Sequence, residues 1–251
     1  MSNFKPFDLV WDNEKIKRLW DFYSQTYPFN EVYFTKTFGK DILKKTISKV
    51  GKLKNKIIVD FGCGPAFILY HMLNNKIYFK KYIGVDFSPE TIKSNKEKYG
   101  NFRNCEFINI SGLPTNIPDN LADICFLIEV IEHLDDKDLE MTLKEIWRIL
   151  KPDGYIVITT PNEEDLELSK CFCPNCGAIY HRWQHIRSWN KITLTDTMLS
   201  FKFKPFYLKT LDFIPDENLI LKVFVSLKSF LKPLFKKKKN NLFGIFKKCV
   251  A

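Results

Sequence analysis

The stretch KIIVDFGCGPA, Lys56 to Ala66, decides how the rest of the chain is read. An apolar run closes on Asp60, two glycines follow at positions 62 and 64, and a helical pattern begins at Ala66. A strand that turns straight into a helix through glycine lets the backbone approach a ligand with no Cβ in the way. Tight strand-to-helix turns also use glycine for purely steric reasons, so the turn needs support from elsewhere in the chain.

That support lies downstream. Strand patterns recur at KYIGVDF (81 to 87), CEFINI (105 to 110), ADICFLIE (122 to 129) and YIVITT (155 to 160), separated by helical patterns at Pro89 to Tyr99 and Leu139 to Leu150. Strands that are apolar throughout, alternating with helix-length segments, predict a parallel sheet covered on both faces: an α/β, doubly wound fold. Pro152-Asp153-Gly154 reads as a turn, and Pro161-Asn162 ends the alternation. Residues 1 to 50, aromatic and helical with a second helix near Lys36 to Val50, are expected to form an N-terminal cap. Residues 51 to 215 form the main domain. It carries a Cys- and His-rich insertion at 162 to 190 and a final pair of strands within Phe201 to Phe213, and residues 216 to 251 follow as a basic amphipathic tail.

Asp86 ends the second strand, 22 residues after Gly64, where an acid can accept both hydroxyls of a ribose. A nicotinamide dinucleotide is disfavoured, because Phe67 stands where a third glycine is wanted and none of the ten Tyr has a Lys four residues later. With VDFGCGPA, the acid of GVDFS, LPTNIPDNLADICFLIEVIEHL and RILKPDGYIVITTPN in order over residues 56 to 162, the chain resembles the class I S-adenosylmethionine-dependent methyltransferases. The resemblance implies a Rossmann-like, mostly parallel seven-stranded sheet and S-adenosylmethionine as cofactor. It also implies that Asp60, Gly62, Cys63 and Gly64 cradle the methionine end, that Asp86 holds the ribose, and that Phe87 and, more loosely, Asn109 lie by the adenine. Glu129 is expected beside the methyl group.

The stretch LIEVIEHLDD, Leu127 to Asp136, places Glu129, Glu132 and His133 within five residues at a strand's carboxyl end, where open α/β sheets bind ligands. The bland reading makes Glu129 a strand end and Asp135 and Asp136 acids favoured by the next helix dipole. E-x-x-E-H here is also similar to the quinone-biosynthesis O-methyltransferases and the small-RNA 3′-terminal 2′-O-methyltransferases. That likeness implies a divalent metal, Mg²⁺ or Mn²⁺, at Glu129, Glu132, His133 and a later His, for which His185 in HIRSW stands ready. A metal-free alternative keeps His133 as general base with Glu129 beside it.

CFCPNCGAIYHRWQH carries one Cys-x-x-Cys knuckle, and four tetrahedral ligands would complete a structural Zn²⁺ site. Cys171, Cys173, Cys176 and His181 are the expected set, against a reading in which the cysteines are reduced and pack under Trp183 and Trp189. The other cysteines suit a reducing compartment.

The formal charge of +10 is uneven: residues 216 to 251 hold nine Lys against two acids, an excess of +7, which leaves +3 for the remainder. Leu219 to Phe235 fits an amphipathic helix, and Lys236 to Lys239 and NLFGIFKK extend it with basic and aromatic chemistry. Together these suit an anionic membrane surface, or a helix docked on the domain, with RNA a lesser choice. MSNFKPFDLVWDNEK alternates polar and apolar residues without a hydrophobic leader, so a cytoplasmic protein, peripheral at the inner face of the membrane, is expected. The acceptor is read as a small molecule, a glycan or a lipid-linked intermediate, with an RNA 3′-end as the rival. A cofactor-fold scaffold that binds membrane or partner through its tail is the non-enzymatic alternative, and the retained Asp60, Gly62, Gly64 and Asp86 speak against it.

Overall fold

A computed structural model describes residues 5–216 and 240–249. Strand β1 (Phe7–Asp8) leads into helices α1 (Asn13–Gln25) and α2 (Phe34–Val50). Asp12 caps α1 by accepting from the Lys15 N–H at 2.8 Å, and α2 stops at Gly51, whose φ of 82° only glycine adopts freely. Then come β2 (Ile57–Phe61), α3 (Phe67–Asn74), β3 (Lys81–Asp86), α4 (Pro89–Tyr99), β4 (Cys105–Asn109), β5 (Ala122–Ile128), α5 (Asp136–Ile149) and β6 (Leu150–Pro161). A hairpin, β7 (Lys170–Phe172) and β8 (Ala178–His181), fills the insertion, and α6 (Lys191–Ser200), β9 (Phe203–Leu211) and β10 (Asn241–Lys248) complete the order.

Seven strands form one sheet in the order β4-β3-β2-β5-β6-β10-β9. The strands of β2 through β6 pair in parallel, and β10 runs antiparallel to both β6 and β9. Every residue of β2 is buried because both sheet faces are covered. Ile42, Leu43, Ile68, Leu69, Met72 and Ile92, from α2, α3 and α4, pack on one face. Leu139, Leu143, Ile146, Leu194 and Met198, from α5 and α6, pack on the other. The predicted doubly wound fold is therefore the observed one. The chain leaves β2 for β3 and β4 on one side and returns to β5 on the other, so the switch point lies beyond the carboxyl ends of β2 and β5.

Two expectations are corrected at the C-terminal end. Phe201 to Phe213 supplies one strand, β9, and not a pair. Its neighbour is NLFGIFKK, read from sequence as part of a membrane-facing tail, which is instead β10 in the middle of the sheet. Leu242, Phe243, Ile245 and Phe246 are buried there, and Gly244 makes room for Phe246, whose Cε2 would lie 2.6 Å from an added Cβ. Lys248 is buried too: its ammonium donates to Asn120 Oδ1 at 2.8 Å and the Leu150 carbonyl at 2.7 Å, and stands over the Trp147 ring. The amphipathic segment Leu219 to Phe235 and the run Lys236 to Lys239 lie outside the described residues. Among the described residues no helix is long and apolar enough to cross a membrane.

Candidate active site

The turn after β2 has the backbone its glycines permit, with φ of 76° at Gly62 and 48° at Gly64. A Cβ on Gly62 would meet Val130 Cγ2 at 2.7 Å, so this turn and the loop after β5 can touch only because position 62 is glycine. Asp86, at the end of β3, accepts from the Gly64 N–H at 2.9 Å and the Ser88 N–H at 3.0 Å. Burial raises its pKa, and these backbone donors oppose that rise. Two donors leave lone pairs on the carboxylate for hydroxyl groups.

Other predicted residues around the turn are placed as follows. Asp60 is buried, and its carboxylate accepts from Tyr82 Oη at 2.7 Å, facing the sheet interior; burial pushes its pKa up to about 7. The Cys63 thiol also points inward, 3.8 Å from Asn95 Nδ2, and burial raises its pKa well above the ordinary thiol range. Only its backbone is left for a ligand. Phe87 is 41% exposed, an aromatic face at the strand's end, and Asn109 donates to the Asp86 carbonyl at 3.1 Å, bracing the strand that carries Asp86.

Glu129 begins the loop after β5 with φ of 52°, a left-handed conformation that costs a non-glycine residue roughly 1–2 kcal/mol. Bonds to β6 hold it there: its N–H donates to the Thr159 carbonyl at 3.0 Å, and its carboxylate accepts from Thr159 Oγ1 at 2.7 Å. Burial pushes the Glu129 pKa up to about 7 against that hydroxyl, and the Glu164 charge adds to the rise. Glu132 is raised further, first by burial and then by the charge of Glu129. Thr160 Oγ1 donates to Glu132 Oε2 at 3.0 Å, while Oε1 is buried with no hydrogen-bond partner. His133 Nε2 lies 3.9 Å from that orphan oxygen.

Burial, followed by the neighbouring His185, depresses the His133 pKa to about 3, so its imidazole is neutral with a lone pair free to ligate. The His133 and His185 ring centroids are 4.8 Å apart, and the candidate ligand atoms of Glu132, His133 and His185 all lie within 4.8 Å of one another. The structure thus brings a residue of the insertion to the two read after β5. Glu129 is held against Thr159 and is not in that group of three.

The expected zinc set is separated. Cys171 pairs with Tyr180 across the β7–β8 hairpin while His181 pairs with Lys170, so the alternation of strand side chains puts Cys171 and His181 on opposite faces. His181 is drawn instead to Glu164, with Nε2 at 3.5 Å from Oε1, and its ring stacks on His185 at 4.6 Å. Cys173 and Cys176 do form the turn read from Cys-Pro-Asn-Cys-Gly: the Gly177 N–H donates to the Cys173 carbonyl at 2.8 Å, with Gly177 at φ of 85°. The N–H groups of Cys176 and Asn175 lower the pKa of the half-buried Cys173 thiol. Among the described residues, groups of three or more metal-type donors occur only at Glu132–His133–His185 and Glu164–His181–His185.

Sequence reading missed several residues at the site. Glu164 accepts from His185 Nδ1 at 2.5 Å; burial raises its pKa, but the bonds to His181 and His185 outweigh that and hold it at about 2. Tyr33, just before α2, lies over the glycine turn, its Cε1 3.5 Å from where a Gly64 Cβ would be. Asp21 on α1 accepts from Ser88 Oγ at 2.8 Å, and Trp20 on the same helix meets the His133 ring edge-on at 5.0 Å and donates to Gln184 Oε1 at 3.2 Å. The cap helix thus touches both halves of the site. A cleft of about 640 Å³ opens beside His133 between the start of α1, the start of α5 and the insertion.

A glycine turn under an acid-ended second strand, in this strand order, defines a cofactor-binding α/β domain of methyltransferase type. Comparison with known proteins agrees: residues 59–158 match the family model described as a methyltransferase domain. An uncharacterized protein of Methanocaldococcus jannaschii is 30% identical over 175 residues, 66% of this chain and 70% of that one. The small RNA 2′-O-methyltransferase of Arabidopsis thaliana is 25% identical over 141 residues, 53% of this chain and 15% of that one. In fold, the 1,6-didemethyltoxoflavin-N1-methyltransferase of Burkholderia thailandensis superposes with a TM-score of 0.63 at 14% identity, covering 98% of this chain and 94% of that one. The chain belongs to the class I S-adenosylmethionine-dependent methyltransferases. It spans half or less of the length of the first curated relatives it matches.

Proposed function

We propose that the protein transfers a methyl group from S-adenosylmethionine to a hydroxyl oxygen of a small-molecule, glycan or lipid-linked acceptor, with Mg²⁺ or Mn²⁺ held by Glu132, His133 and His185. The observation that carries the metal part is the buried, unpartnered Glu132 Oε1 beside the imidazoles of His133 and His185, since a buried carboxylate oxygen with no donor is costly unless a cation meets it. Bound S-adenosylmethionine supplies a methyl group on a sulfonium, a leaving group that needs no protonation.

The residues of the chain do the rest. Gly62 and Gly64 present backbone without side chains, and Asp86 offers its remaining lone pairs to the ribose. Tyr33 covers the turn and Phe87 offers a ring face to the adenine. The acceptor oxygen forms a bond to the methyl carbon as the carbon–sulfur bond breaks with its electron pair staying on sulfur, and the hydroxyl proton passes to water. A cation at Glu132, His133 and His185 would lower that hydroxyl's pKa and orient it. His133, depressed to about 3, suits a ligand better than a lone general base.

The cleft beside His133 supports a hydroxyl-rich acceptor. Trp11 offers an aromatic face and Asp12, Glu14, Asp135, Asp138 and Gln184 offer hydrogen-bonding groups, the set that suits a sugar-like molecule. None of its described lining residues is Lys or Arg, which disfavours a polyanionic RNA. Residues 217–239 carry seven Lys against one acid, Glu217, a composition that supports attraction to an anionic membrane at about 1 kcal/mol per nearby basic residue. Calorimetry with S-adenosylmethionine tests the cofactor, and no binding at millimolar ligand defeats the reading. Labelled methyl transfer into cell extract, with Mn²⁺ and with chelator, tests the acceptor class. Label appearing only at RNA 3′-ends replaces the glycan-type acceptor with the rival.

A further inference from the structure

We infer that Glu164 is a positioning residue for the metal centre: its carboxylate fixes the proton of His185 on Nδ1 and so leaves Nε2 as the nitrogen offered to the cation. The inference rests on the metal reading above and adds a residue to it. A carboxylate at 2.5 Å only accepts, so His185 Nδ1 carries the hydrogen and Nε2 is the nitrogen left to ligate. Metal-bound histidines commonly donate their other ring N–H to a carboxylate in this way, which sets both tautomer and ring orientation.

The surroundings fix both partners. Glu164 follows Glu163, whose N–H donates to the Trp189 carbonyl at 2.6 Å, tying the start of the insertion to its end. Ile186, next to His185, donates its N–H to the Glu132 carbonyl at 3.0 Å, which docks the ligand-bearing loop on the segment after β5. His181 completes the arrangement from the other side. Its Nδ1 accepts the N–H groups of Trp183 at 3.3 Å and His185 at 3.1 Å, so its proton is on Nε2, which lies 3.5 Å from the second oxygen of Glu164 without a full hydrogen bond. While Nδ1 is an acceptor, Nε2 has no lone pair for a metal, because a neutral imidazole has only one such nitrogen. The group Glu164–His181–His185 therefore has the spacing of a metal site, but its His185 to Glu164 bond and the acceptor role of His181 Nδ1 make it a support for the first group.

Long-range ¹H–¹⁵N spectra of the histidine rings in the metal-free protein test the assignment directly. The expected result is His185 with its proton on Nδ1 and His181 with its proton on Nε2. Mn²⁺ binding, followed by the electron paramagnetic signal of free Mn²⁺, should weaken about 10- to 100-fold in Glu164→Ala, the range lost with such supporting partners. Glu164→Gln, which keeps an acceptor oxygen, should recover part of that loss, and thermal melting without metal shows that each variant is folded. A His185 proton on Nε2 in the wild type overturns the positioning role whatever the metal does, as does equal Mn²⁺ affinity in folded Glu164→Ala. A wild-type protein with the expected tautomers that binds no Mn²⁺ overturns instead the metal reading on which the inference rests.

Discussion

Under the proposed reading, Asp86 is the residue on which cofactor binding depends most directly. Its carboxylate orders the glycine turn through the Gly64 N–H, and bonds from ribose hydroxyls to it would be worth about 1.5–3 kcal/mol, the range for hydrogen bonds to a charged group. Asp86→Ala should therefore weaken S-adenosylmethionine binding roughly 10- to 100-fold by calorimetry while the protein still melts cooperatively, and unchanged affinity would remove Asp86 from the site. Asp60 gives a pH prediction of definite sign. Burial raises its pKa to about 7 from the model-peptide value of 3.8, so between those values the folded protein keeps a proton that the unfolded chain has released. Stability contributed at this position is full below pH about 3.8, falls as pH rises, and is lost above about 7. Urea titrations of wild type and Asp60→Asn should show the wild type losing ground to the variant from pH 5 to pH 7 and no further change above pH 8; a constant difference would mean that Asp60 stays ionised throughout. The place of Asp86 at the end of β3 was legible because an acid closing an apolar run stands out. Glu164 was not, because it stands among Glu163 and Asp165 and acquires its partners only when the insertion folds back on the segment after β5.

At the level of elements, β2 through β6 were legible because burial on both faces forces continuous apolar runs, and strands of that kind announce themselves. β10 has the same character, with buried Leu242, Phe243, Ile245 and Phe246, yet its position just after Lys236–Lys239 and its closing Lys247 and Lys248 made it look like the end of a basic tail. What sequence could not supply was the pairing partner, since β10 bonds to β6 and β9 across long stretches of chain. The zinc expectation failed for a related reason: whether Cys171 and His181 share a face depends on hairpin register, and a register that pairs Cys171 with Tyr180 forbids it. If β10 is core, Phe246→Ala should destabilise the fold by about 3–5 kcal/mol, the usual cost of deleting a fully buried aromatic ring. Chemical denaturation measures this, and a loss under 1 kcal/mol would return the segment to the surface.

For the molecule as a whole, the decisive question is whether residues 217–239 belong to the fold or are an addition to it. The strands that flank them are already joined: Leu211 pairs with Asn241, and the Asn240 N–H donates to Asp212 Oδ1 at 3.1 Å. The segment therefore leaves and rejoins one antiparallel strand pair, and a short connection suffices to link such strands. Shortening a connecting segment also lowers its closure entropy, though slowly with length. Replacing residues 217–239 with a four-residue Gly/Ser linker should leave the melting temperature and S-adenosylmethionine affinity close to wild type. Removing residues 240–251 instead takes out the interior strand between β6 and β9, exposes the edges of both, and should abolish cooperative unfolding. The same linker variant separates membrane attraction from catalysis, because it deletes seven Lys while sparing every residue placed at the site. It should no longer float with vesicles rich in anionic lipid and should still bind cofactor. Flotation equal to wild type would assign membrane attraction to the folded domain, and loss of folding would show that the segment packs against the sheet it leaves.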